Sequence, residues 1–80
     1  MTIKIIDFNV ENQKQPTITM VECGYIEYCY EERTDTYQIK IFDSHNELSA
    51  VQVVKRNSTV YIMEGGKTID TIQFIGDIKP

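Results

Sequence analysis

The chain is short of the residues that build helices. It holds a single leucine, Leu48, and a single alanine, Ala50, against twelve isoleucines, six valines and eight threonines. Leu and Ala propagate helices, whereas the β-branched residues lose side-chain freedom in a helix and pack well on a pleated sheet. The balance predicts a chain made mostly of strand.

Other scarcities exclude functions. No apolar run approaches the roughly 20 residues that span a bilayer, and MTIKIIDFNV lacks the charged start and long apolar stretch of a secretory signal. The expected location is cytoplasmic, with no membrane partner. Lys and Arg number 8 against 12 acids. A nucleic-acid binder needs a basic face, so direct nucleic-acid contact is not expected.

Histidine occurs once, as His45, inside the polar stretch DSHNE. Ser44 and Asp43 are its sequence neighbours. Adjacent turn residues do not form the nucleophile–base–orienter geometry that catalysis requires. Glycine is also sparse. Gly65-Gly66 lacks the longer glycine pattern and following Lys-Ser/Thr of a phosphate loop. The reading is a non-enzyme with no cofactor.

Only two cysteines are present, in ECGYIEYCYEE. On one unbroken strand, Cys23 and Cys29 would share a face about 20 Å apart, too far for a disulfide. Zinc sites favour cysteines two to four residues apart and require four ligands. No metal site is expected. Two reduced thiols are expected, with an intermolecular disulfide as the alternative.

The 80 residues form one domain, 1–80. A chain this size buries only about 60–65% of the surface its unfolded form exposes. That leaves one thin core and little room for an enclosed small-molecule cavity.

Polar, turn-forming residues recur at 12–16, 31–35, 43–47, 56–58 and 65–66. Between them lie apolar, branched runs. The pattern predicts six strands, near 2–10, 17–30, 36–43, 48–55, 59–64 and 67–75. The fold class is all-β: a small antiparallel meander forming a two-layer sandwich or partly open barrel. Gly65-Gly66 predicts a type I′ hairpin with Glu64 opposite Lys67, Met63 opposite Thr68 and Ile62 opposite Ile69. Ser44 and Glu47 stand at capping-box spacing, so a short helix near 45–56 is the alternative there. The three valines of that segment favour strand.

Two details bear on partners. Strand 67–75 has apolar residues on both faces, Ile69 and Ile75 on one and Ile72 and Phe74 on the other. A strand wet on one face should alternate cleanly, so this one lies between layers or faces a partner. In strand 17–30 the even positions are the more apolar and are expected to face the core. Gly24 is expected to bulge or bend the strand, beyond which the two faces can exchange.

The charge is also uneven. Residues 22–47 carry seven acids and two bases, a local charge of −5 within a total of −4. Tyr25, Tyr28, Tyr30 and Tyr37 lie in the same region, among Glu27, Glu31, Glu32 and Asp35. Tyrosine anchors interfaces, and carboxylates speed encounter with a basic surface. These eight residues are the candidate partner-binding set. The function they suggest is a small acidic interaction module, an inhibitor or modulator that binds a basic protein surface. Small acidic inhibitors encoded by phages and mobile elements offer an analogy of size and charge. The alternative is an assembly subunit that forms a homo-oligomer by sheet or edge pairing.

Overall fold

The computed structural model describes residues 1–11 and 15–76. All its regular elements are strands: β1 (Thr2–Asn9), β2 (Thr17–Glu22), β3 (Tyr25–Glu31), β4 (Thr36–Phe42), β5 (Leu48–Val54), β6 (Ser58–Glu64) and β7 (Lys67–Phe74). They form two antiparallel sheets. Sheet A has the order β2-β1-β6-β7, and sheet B has the order β3-β4-β5. The sheets stay separate and each ends in open edges. The Cα extents of 40 × 28 × 17 Å leave a shortest dimension suited to two layers about 10 Å apart. Among the described residues no helix is long and apolar enough to cross a membrane.

The expected all-β, two-layer class is what the structure has. The strand count differs, because the run 17–30 is two strands in different sheets. At the corner, the Cys23 N–H donates at 2.8 Å to the carbonyl of Met1, the residue that leads into β1 of sheet A. The next N–H, of Gly24, donates to the Phe42 carbonyl of sheet B at 2.7 Å. Two consecutive amides thus serve two sheets. Glycine is required for this crossing, since a Cβ at Gly24 would lie 2.6 Å from the Asp43 carbonyl oxygen.

The corner also exchanges the faces. In β2 the odd positions Thr19 and Val21 are half-buried, while Ile18 and Met20 of the even face are 57% and 64% exposed. In β3 the even position Ile26 packs on the core. The expected inward even face therefore fails for β2 and holds in β3 for Ile26, while Tyr28 and Tyr30 of the same face stay 40% and 43% exposed.

Four hairpins connect neighbours in sequence, and among the described residues the one non-sequential pair is β1 with β6, which places β1 between β2 and β6. The segment 48–54 is strand β5, not helix. Asp43 prepares its entry: its Oδ1 accepts the His45 N–H at 2.8 Å and the Glu47 N–H at 3.0 Å. Asn46 adopts a φ of 63°, which turns the chain. The β6–β7 turn has φ of 59° at Gly65 and 81° at Gly66, as a type I′ turn demands. Glu64 pairs with Lys67 and Met63 with Thr68, but Ile62 pairs with Asp70. A bulge takes up Ile69 and shifts the register by one. The polar break expected at 12–16 falls partly outside the described residues.

The core is a single layer between the sheets. Ile3, Ile5, Val60, Ile62 and Phe74 enter from sheet A, and Ile39, Ile41 and Val54 from sheet B, with Cys23 at the corner.

Candidate interaction surfaces

The tyrosine–carboxylate segment is divided by the pleat of β3. Tyr28 and Tyr30 lie opposite Ile39 and Tyr37 on β4, on the side that faces sheet A. The Tyr30 and Tyr37 rings lie 5.4 Å apart, and both meet the edge strand β7 at Phe74, at 5.9 and 4.9 Å. The Arg56 guanidinium sits 4.3 Å over the same Phe74 ring. It grips Asp35 twice, Nη2 to Oδ1 at 2.6 Å and Nε to Oδ2 at 2.7 Å. The Tyr30 hydroxyl donates to Asp35 Oδ1 at 2.7 Å. These donors, Arg56 foremost, hold the Asp35 carboxyl down to about 2. In return Asp35 pushes the Tyr30 phenol up. Burial, with the Asp70 carboxylate nearby, raises Tyr28.

The other predicted residues lie elsewhere. Tyr25 stacks on Phe42 with centroids 4.6 Å apart, on the outer side of sheet B. Glu27 stands opposite Lys40 on the same side. Glu31 lies 3.8 Å from the Arg33 side chain. Glu32 is exposed in the β3–β4 turn, where Asp35 adopts a φ of 52°. The structure therefore brings Tyr30, Asp35 and Tyr37 together around Phe74 and Arg56. It sets Tyr25 and Glu27 on the opposite face. Three of the acids have a cation in register or in contact: Glu27 faces Lys40, Glu31 lies by Arg33 and Asp35 by Arg56.

A polar cleft of about 390 Å³ opens between the sheets, lined in part by Asp7, Asn9, Gln52, Lys55 and Ser58. The Asn9 amide donates to Ser58 Oγ at 2.7 Å and to the Arg56 carbonyl at 3.2 Å. Asp7 Oδ1 is buried without a hydrogen-bond partner among the described residues. Burial raises the Asp7 carboxyl, and Ser58 offsets part of that rise. No group of three or more His, Cys, Asp or Glu side chains is placed to hold a metal ion among the described residues. Both cysteines are free thiols, Cys23 buried and Cys29 half-buried.

None of the eight tyrosine and carboxylate candidates lies on the outer face of sheet A, which is a separate surface. With Ile3, Ile5, Val60 and Ile62 turned inward, strand alternation turns Ile6, Phe8, Tyr61 and Met63 outward. Beside them stand Ile18 and Met20 of β2. The register makes two rows across the strands, Ile18–Ile6–Tyr61 and Met20–Lys4–Met63. Phe8 and Tyr61 meet edge to face, with centroids 5.8 Å apart. A signal for this face was present in TIKIIDFN, where Ile3 and Ile5 alternate against Ile6 and Phe8. It is the same two-sided pattern that marks strand 67–75.

No protein-family model matches the chain, and no curated protein or solved structure matches it.

Proposed function

We propose that this protein is a small interaction module that works by covering one sheet face with a second protein surface, without catalysis. The observation that carries the reading is the outer face of sheet A. Monomeric proteins rarely leave a contiguous apolar patch spanning several strands open to water. Here Phe8, Ile18, Met20 and Tyr61 stand 46%, 57%, 64% and 37% exposed on neighbouring strands. The test is capture with two baits, the wild-type chain and a Met20→Lys chain. Proteins held by the first and lost by the second, an untagged copy of the chain included, support the proposal. Identical capture by both baits overturns it.

A second reading keeps the basic partner of an inhibitor or modulator. It is favoured by the position of β3 at the edge of sheet B, where unpaired backbone groups can accept a partner's strand. Glu27, Glu31 and Glu32 would steer a basic surface to that edge. Charge reversal at these three positions should weaken such binding. Asp35 is excluded from the test, because its loss would also release Arg56.

A further inference from the structure

We infer that the outer face of sheet A closes on a second copy of this chain, related by a two-fold axis running across the strands along the Ile18–Ile6–Tyr61 row. This inference rests on the interaction reading above and names the partner.

The two ends of the face differ. Phe8, which meets Tyr61 edge to face, forms an aromatic end. Two residues beyond Ile6 in the other direction lies a hollow of about 360 Å³, lined by Thr2, Lys4, Met20, Met63 and the Gly65-Gly66 turn. Phe8 and Lys4 are equally far along β1 from Ile6. Rotation about the Ile6 row therefore sets Phe8 of each copy over the hollow of the other. Methionine lining suits such a site, since its flexible thioether conforms to an aromatic ring. Lys4 then stands over that ring, where its ammonium is attracted by the π face. One patch thus supplies both halves of an isologous contact.

The area of the face also suits a dimer. A four-strand face, at about 4.8 Å between strands and about 3.4 Å per residue, covers roughly 450 Å² in projection. Two such faces remove on the order of 1,000 Å² from water, the lower bound for a specific interface. Charge points the same way. Lys4 is the only cation on the two central rows, so the face offers little to draw a strongly charged partner.

The test is the mass of the full chain in solution by sedimentation equilibrium, from micromolar to millimolar concentration and at low and high salt. Wild type should approach twice the 9.3 kDa chain mass. Raising salt should not dissociate it, because screening eases repulsion between two chains of net charge −4. Phe8→Lys and Met20→Lys should each weaken association by about tenfold or more, since each buries an ammonium against apolar surface. Val53→Lys, on the outer side of sheet B, should leave it unchanged. Should Phe8→Lys fail to fold, Met20→Lys alone decides, because that side chain is 64% exposed.

A wild-type chain that stays at 9.3 kDa throughout overturns the inference. So does a dimer that persists in Met20→Lys. If the wild type is a monomer yet Met20→Lys loses a captured protein, self-pairing fails while the interaction reading survives. If the wild type is a monomer and capture is unchanged, both fail.

Discussion

Arg56 holds Asp35 in a two-pronged ion pair that joins the β3–β4 turn of sheet B to the crossover between β5 and β6. Because Arg56 also lies over Phe74 and reaches the Gly76 carbonyl at 3.3 Å, the pair ties both sheets at one end of the sandwich. Its effect on stability has a definite sign with pH. The Asp35 carboxyl is depressed from 3.8 to about 2. Its contribution is therefore complete above the unfolded value and is lost as pH falls through the window from about 4 to 2. Urea midpoints measured across that window should fall more steeply for wild type than for Arg56→Leu. Parallel curves would show that the pair adds nothing to folding.

Asp7 should behave in the opposite sense. Burial raises its carboxyl, so the folded chain favours the protonated form and loses stability as pH rises through the raised value. Asp7→Asn removes that titration. The variant should gain on wild type as pH moves from about 4 toward neutrality. Urea midpoints of the two chains that keep a constant separation over this range would refute the assignment.

The corner at Gly24 sets a steric prediction. A methyl group there meets the Asp43 backbone at 2.6 Å, and both strands that leave the corner are hydrogen-bonded into their sheets. Gly24→Ala should cost about 1–3 kcal/mol, the usual range for overpacking. Gly65→Ala has open space around its Cβ and loses stability only through its φ of 59°. Thermal unfolding of the two variants should rank Gly24→Ala as the less stable.

The cysteines should separate by reactivity. Cys23 is 7% exposed, and burial pushes its thiol up. Cys29 is more accessible. A thiol reagent at mildly alkaline pH should label Cys29 first and reach Cys23 at the rate of opening of the corner. Equal labelling rates in the native chain would contradict the burial of Cys23.

Much of the architecture could be read from residue types. The excess of Ile, Val and Thr over Leu and Ala marked an all-β chain, because branched side chains prefer the pleated backbone wherever they lie. The Gly-Gly turn and its first two cross-strand pairs were also legible, since a type I′ turn is a local demand for positive φ. Ile69 escaped, because the bulge that absorbs it leaves no mark in a run of branched residues. The sheet change at Cys23-Gly24 was only partly visible. Glycine announced a bend, but the requirement for it comes from Asp43, nineteen residues away in sequence.

The candidate sites divide along the same line. Residue types and their order make the chain strand-rich, acidic in its middle and apolar on both sides of several strands. Those are properties of single residues and of their alternation. Tertiary structure alone decided which side became the core. Placing β1 between β2 and β6 buried Ile3 and Ile5 and turned Ile6 and Phe8 to the outer face, Ile6 half-buried and Phe8 exposed. It also drew Tyr30 and Asp35 to Arg56 and Phe74, while Tyr25 and Glu27 stayed on the outer side of sheet B. The reason is that an alternating strand specifies two faces but not their assignment. That choice is made by strand partners distant in sequence, through the apolar surface their pairing removes from water.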